Sequence, residues 1–292
     1  MKVLITGASG QVGRALQAAI PQGTEVHALT HAQLDISDAA AVRRTLADFS
    51  PAVVINAAAY TAVDRAESEP AAAEAINATG PRHLAEAVLA IGGARLLQIS
   101  TDYVFDGRSS APRRPDDPTG PLSVYGRSKL AGERAVLDVL GKRAVVLRTA
   151  WVYAAAGSNF VLTMLRLMRE RGAVRVVSDQ RGSPTAAASV ARGLWRATAL
   201  PEVHGVLHWT DAGTTSWYDF ACAIAADAQA EGLLARAPEV TPITTAEYPT
   251  PAPRPLNSTL DLTASASQLA LQPVPWRDNL RTTLRALAHP MG

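Results

Sequence analysis

The chain begins with a short apolar run, residues 3–6, that passes directly into Gly7-Ala8-Ser9-Gly10-Gln11-Val12-Gly13 and then into a helical pattern reaching about residue 20. This is a strand, a glycine turn and a helix in immediate succession. The spacing Gly-x-x-Gly-x-x-Gly lets backbone N–H groups at a helix N-terminus come close to a pyrophosphate. A glycine triplet also serves a tight βα turn that binds nothing, so its place on the first strand is what points to a dinucleotide. Residues 25–29, 52–56, 95–99 and 143–147 read as four more strands, with helices between them. Strands alternating with helices predict a parallel sheet covered on both faces, that is, an α/β Rossmann doubly wound fold. Residues 35–38 cap a helix running to about residue 49, and helical segments fill about 69–91 with an interruption at Gly80-Pro81.

Beyond Thr149 the alternation loosens. Helices are expected at 158–171, 186–199 and 217–230, with short strands at 174–177 and near 206–209. Residues 248–258, Tyr-Pro-Thr-Pro-Ala-Pro-Arg-Pro-Leu-Asn-Ser, are too rich in proline for a helix interior or a central strand. A length of 292 residues exceeds the usual single domain. The expected division is an NAD(P)-binding domain over 1–150 and a smaller C-terminal α/β substrate domain over 151–292, with about 184–210 packing back on the first.

The chemistry concentrates between Ser100 and Lys129. Thr101 follows an apolar strand, where open α/β sheets place their ligands. Tyr125 and Lys129 are four apart in a helical stretch, 123–140, so they share one face with Cβ atoms roughly 6 Å apart. A free phenol is a weak acid, but a neighbouring cation favours the phenolate and lowers its pKa. Such a phenol is suited to protonate a carbonyl oxygen, with Thr101 donating to the same oxygen. An exposed Tyr and Lys on an ordinary amphipathic helix would give the same spacing. Composition favours the chemical reading: only three of the 28 basic residues are lysine, and Lys129 goes against that habit.

The rest of the composition excludes several classes. Net charge is +2 without a dense basic stripe, so neither nucleic acid nor an anionic membrane is expected as a partner. The single cysteine, Cys222, permits no disulfide framework and reads as a small buried residue in an alanine-rich helix. No stretch reaches eighteen uninterrupted apolar residues, and the N-terminal run is too short for a signal peptide, which together predict a cytoplasmic protein. The second strand ends at Thr30 with no acid for an adenosine ribose, so NADPH and NADH are both permitted.

Taken together, the glycine turn, Asn56-Ala57-Ala58-Ala59-Tyr60-Thr61-Ala62-Val63-Asp64, Ser100-Thr101-Asp102-Tyr103-Val104-Phe105, Tyr125-Gly126-Arg127-Ser128-Lys129, Arg148-Thr149-Ala150-Trp151, Asp179-Gln180-Arg181-Gly182-Ser183-Pro184-Thr185 and the proline-dense segment resemble the extended short-chain dehydrogenase/reductases that act on nucleotide sugars. The resemblance spans essentially the whole chain. It implies reduction of a 4-keto group on a nucleotide-activated sugar by NADPH or NADH, with Tyr125 as proton donor. Lys129 would hold the nicotinamide ribose and depress the phenol's pKa, and Thr101 would bind the reacting oxygen. Gly7, Gly10, Gln11, Val12, Gly13, Thr30, Asp35, Ile36, Ala59, Tyr60, Thr61 and Ile99, with Tyr125 and Lys129 themselves, fall at cofactor positions. Asp102, Tyr103 and Trp151 fall at sugar positions, and Arg254 suits a diphosphate, although a solvated loop arginine explains it equally well.

Some relatives in this family form a magnesium-bridged dimer through two glutamates. The matching places here are Ala15 and Ala188, which offer no oxygen donor, so no metal site is expected and any homodimer would form without that bridge. Two rival functions share the fold. In dehydratases a glutamate follows the Thr-Asp pair where this chain has Tyr103, which disfavours elimination and leaves an epimerase as the rival enzyme. A non-catalytic subunit, like the regulatory partner of methionine adenosyltransferase, would have no reason to keep Thr101, Tyr125 and Lys129.

Overall fold

A computed structural model describes residues 1–289. The first half reads β1 (Lys2–Thr6), α1 (Gln11–Ala18), β2 (Glu25–Leu29), α2 (Ala39–Phe49), β3 (Val53–Asn56), α3 (Val63–Ser68), α4 (Pro70–Glu74), α5 (Gly80–Ile91), β4 (Arg95–Thr101), α6 (Val124–Leu140) and β5 (Ala144–Thr149). Next come β6 (Val152–Tyr153), α7 (Phe160–Arg171), β7 (Ala173–Val177), β8 (Arg181–Gly182), β9 (Thr185–Ala186), α8 (Ala187–Thr198) and β10 (Gly205–His208). The chain ends with β11 (Thr215–Ser216), α9 (Trp217–Ala230), β12 (Glu239–Ile243), α10 (Thr263–Leu269) and α11 (Trp276–Ala288).

The main sheet has six strands in the order β10-β5-β4-β3-β1-β2, and every pairing is parallel. The chain runs outward from β1 to β2 and then crosses to β3 on the other side of β1, so the order reverses between β1 and β3, which opens a crevice at their carboxyl ends. Val3, Ile5, Ile55, Leu97 and Leu147 face one side, where α1 and α8 cover them through Leu16, Val190 and Leu194. Leu4, Val54 and Leu96 face the other side, against Val42 and Leu46 of α2, Leu84 and Val88 of α5 and Val136 of α6. A third apolar cluster joins α7, α9, α11 and β7 around Phe220, with Val161, Leu165, Ile224 and Leu280 fully or almost fully buried.

Buried polar side chains tie the strand ends together under the crevice. Thr6 donates to Asn56, and Asn56 Nδ2 donates to Gln98 Oε1 at 2.7 Å, linking β1, β3 and β4. The side chains of Thr6, Asn56 and Gln98 thereby keep partners, which offsets the cost of burying them.

Two expectations change. The helical stretch is not interrupted at Gly80-Pro81: α4 continues through a π-helical turn, Ala75–Thr79, into α5, and Gly80 is helical at φ −57. Proline lacks an N–H, and Pro81 follows directly on the π-helical turn, where the regular i→i−4 bonding is already broken. Cys222 is half-buried rather than buried.

The glycine turn is fixed by contact. Gly7 has φ +67, and a Cβ there would lie 2.5 Å from Ala58 N; a Cβ on Gly13 would lie 2.2 Å from the Gly7 carbonyl oxygen. Helix α1 thus rests on the end of β1 with no room for a methyl group. Gly13→Ala is expected to destabilise the fold by about 1–3 kcal/mol through overpacking, read as a lower urea midpoint; an unchanged midpoint would show that the turn relaxes freely.

Candidate active site

Helix α6 positions the central pair. Ser123 caps it by accepting from Gly126 N at 3.1 Å, and Gly126 must be a glycine because a Cβ would meet the Tyr103 carbonyl oxygen at 2.3 Å. This close approach seats the first turn of α6 against the segment that follows β4. Thr101, Asp102, Tyr103, Tyr125 and Lys129 are brought together there. Tyr125 and Tyr103 pack edge to face with ring centroids 5.5 Å apart. The Thr101 hydroxyl donates to Asp102 Oδ1 at 2.8 Å and accepts from Tyr103 N at 3.2 Å.

Burial governs the ionisation of these groups. It pushes the Tyr125 phenol up to about 12, a hydrogen bond with Thr101 opposes the rise, and the Asp102 charge adds to it. The sequence-based expectation of a phenol lowered by Lys129 is therefore not met in the protein alone. The Lys129 ammonium is turned to the sheet, donating to the Ile99 carbonyl oxygen at 2.7 Å. Burial also brings Lys129 down to about 8, against the favourable charge of Glu133. Asp102 is pushed up to about 6 by burial, with hydrogen bonds from Ser258 and Thr101 pulling it back. A phenol that keeps its proton, beside a hydroxyl and a readily discharged amine, is arranged to give a proton rather than to take one.

Gly10 precedes α1 as its cap without a side-chain bond to the helix, so the first-turn N–H groups are free for an anion. Gln11 receives a bond from Asn159 Nδ2 at 2.9 Å, joining this turn to the start of α7, and Val12 packs partly buried against the core. Thr30 binds Gln33 Oε1 through both its N–H and its hydroxyl, while Asp35 closes a turn on Ser37. Ile36 is buried under Gly80, so only its backbone is available to a ligand. Ala59, Tyr60 and Thr61 follow β3, and Tyr60 OH donates to Glu69 at 2.7 Å. This glycine cradle with its open helix end fits the pyrophosphate of a dinucleotide. Among the described residues no group of three or more His, Cys, Asp or Glu side chains is placed to hold a metal ion.

Trp151 sits outside the contacts of the proton relay. Its backbone is left-handed at φ +48, a conformation that strains a bulky residue by about 1–3 kcal/mol. Its ring stacks on Trp217 with centroids 3.4 Å apart and lies where a Cβ on Gly182 would be, 2.5 Å from the nearest ring atom. Arg254 is not a solvated loop residue: its Nη2 bonds Asp64 Oδ2 at 2.8 Å. Arg254 lines a cleft of about 790 Å³, together with Tyr103, Thr163, Gln180, Tyr248 and Trp217, the ring on which Trp151 stacks.

Several contributors escaped sequence reasoning. Asn77, in the π-helical turn, accepts from Tyr60 N and donates to Ser128 Oγ, tying the loop after β3 to α6. A lone amide in an alanine run was the only signal. Glu133, one helical turn after Lys129, is bonded by Arg148 at 2.7 Å in a fully buried pair. Trp217 carried no signal until Trp151 was placed beside it.

The RmlD substrate binding domain family model matches residues 1–289. A dTDP-4-dehydrorhamnose reductase of Aggregatibacter actinomycetemcomitans is 44% identical, over 98% of this chain and 99% of its own. The crystal structure of a dTDP-4-dehydrorhamnose reductase from Clostridium acetobutylicum superposes with a TM-score of 0.93 at 38% identity, covering 99% of this chain and 100% of that one. A dTDP-4-dehydrorhamnose reductase from Bacillus anthracis, solved in complex with NADP, gives 0.91 at 34% identity, covering 97% and 98%.

Proposed function

The chain belongs to the RmlD substrate binding domain family, and from that premise we propose that it reduces the 4-keto group of dTDP-4-dehydro-β-L-rhamnose to dTDP-L-rhamnose with NADPH or NADH. When bound, the nicotinamide cofactor supplies the hydride. Tyr125 supplies the proton to the carbonyl oxygen, and Thr101 donates a hydrogen bond to it. Lys129 orients the ribose beside the phenol. Residues 1–150 act as the cofactor domain, on which about 184–210 pack back, and the rest of 151–292 acts as the substrate domain, with Asp102, Tyr103, Trp151 and Arg254 toward the nucleotide sugar. The single observation that carries the reading is the gathering of Thr101, half-buried Tyr125 and buried Lys129 at the carboxyl end of β4, with the Tyr125 ring packed on Tyr103 and Lys129 bonded to the Ile99 carbonyl oxygen. Tyr103 in place of a carboxylate also supports reduction over elimination. No helix of the described residues is long and apolar enough to cross a membrane.

The direct test follows oxidation of NADPH and of NADH with the keto sugar generated in situ, with and without EDTA. Consumption that the chelator leaves unchanged is the expected result, since Ala15 and Ala188 cannot ligate a cation. A folded protein that consumes neither cofactor would return the choice to an epimerase or a non-catalytic subunit.

A further inference from the structure

The cleft wall contains an ion pair that the proton relay does not use. Asp64 lies in α3, just past the loop that follows β3, and Arg254 lies in the proline-dense segment, 190 residues away. One carboxylate holds both the side chain and the backbone of that segment. Arg254 Nη2 donates to Asp64 Oδ2 at 2.8 Å, and Ala252 N donates to Oδ1 at 3.2 Å. Arg254 Nη1 returns to the Ala252 carbonyl oxygen at 2.9 Å. Ala252 is fully buried, whereas Tyr248 and Leu256 on either side are exposed. The segment is therefore pinned at this point.

A guanidinium carries five N–H donors. Two are engaged here, leaving three for an anion in the cleft that Asp64, Arg254 and Tyr103 line. The Asp64 side chain is 43% exposed and that of Arg254 18%, so water screens the carboxylate more than the guanidinium. An arginine free on a loop loses rotamer freedom when it grips an anion, whereas one already held loses little. We propose that Asp64 is a positioning residue for substrate binding: its carboxylate pre-sets Arg254 and the proline-dense segment so that the remaining N–H groups meet the diphosphate of a nucleotide sugar. This rests on the reading of the cleft as the nucleotide-sugar site.

The test is calorimetric titration of dTDP into the wild type, Asp64→Asn, Asp64→Glu, Arg254→Met and the Asp64→Asn/Arg254→Met double variant, with steady-state kinetics alongside. Asparagine still accepts from Ala252 N, so the substitution removes the charge and leaves the backbone anchor. dTDP binding is expected to weaken about three- to tenfold in Asp64→Asn, with KM for the keto sugar rising in step, kcat within about twofold and KM for NADPH unmoved. Asp64→Glu recovers part of the loss. In the Arg254→Met background Asp64→Asn has little further effect, because the carboxylate acts through Arg254. Unchanged or tighter dTDP binding in Asp64→Asn overturns the positioning role, as does an equal loss in the Arg254→Met background. Turnover of the keto sugar by the wild type would survive either result, whereas a wild type that fails to bind dTDP would overturn the underlying reading as well.

Discussion

Tyr125→Phe should lower kcat for the keto sugar by about 10²- to 10⁴-fold, the usual contribution of a positioned general acid, while NADPH binding changes little. The substitution removes one oxygen and keeps the ring that packs edge to face on Tyr103, so folding should survive and the loss will report on chemistry. Because burial holds the phenol near 12, its proton is present throughout the physiological range and no alkaline limb is expected from Tyr125 in the free enzyme. Lys129 sets that limb instead. It loses its charge as pH rises through about 8, so kcat/KM, which reports the free enzyme, should decline above that point. A Tyr125→Phe variant with wild-type kcat would pass the proton donor's role to another group, and the candidate would be Asp102, held near 6 by burial.

The contrast between the expected and observed phenol shows what a spacing reveals. Tyr125 and Lys129 four apart on one helix were legible as a pair, and the strand before Thr101 was legible as the place where a ligand sits. Burial was not, because it depends on how the segment after β4, with Tyr103, packs on the ring from outside the helix. The same limit explains the other differences. Gly80-Pro81 looked like a break because the π-helical turn that carries the chain through it leaves no mark on composition. Strand β12 escaped notice since Pro242 lies within it, yet β12 pairs only with β7, and a strand with a free edge tolerates a missing donor. Arg254 had two equal readings until Asp64 was placed against it. By contrast, the β1–α1 turn was readable because much of its constraint is local: Gly13 meets backbone atoms of Gly7 and Ala8 within the turn, and only the contact of Gly7 with Ala57 and Ala58 after β3 reaches outside it.

Arg148→Met should destabilise the protein by about 3–5 kcal/mol, the usual result of stripping one partner from a buried ion pair. Arg148 sits at the carboxyl end of β5 opposite Ser100 of β4, directly beneath the proton relay. Its side chain is 4% exposed, that of Glu133 is 2%, and the guanidinium makes three contacts of 2.7–3.2 Å with the carboxylate. The remaining Nη1 donates to the Pro115 carbonyl oxygen at 3.1 Å, and the guanidinium lies 5.0 Å from the Phe105 ring. Removing it leaves Glu133 buried without a counter-charge, one turn from Lys129. Urea titration at neutral pH measures the loss, and a Glu133→Leu/Arg148→Met double variant should recover most of it, since replacing both ions avoids the unpaired charge. The loss should also shrink in acid. His208 is held down to about 3, first by burial and then by the Arg148 charge. A histidine depressed on folding contributes stability that is present above its ordinary value near 6.5 and is lost as pH falls toward its folded value. Without Arg148 that depression is smaller, so less is left to lose between those limits. The wild type and Arg148→Met should therefore converge in stability as pH falls from about 6.5 toward 4. A gap that widened over that range would show that the pair stabilises the end of β5 by packing rather than by charge.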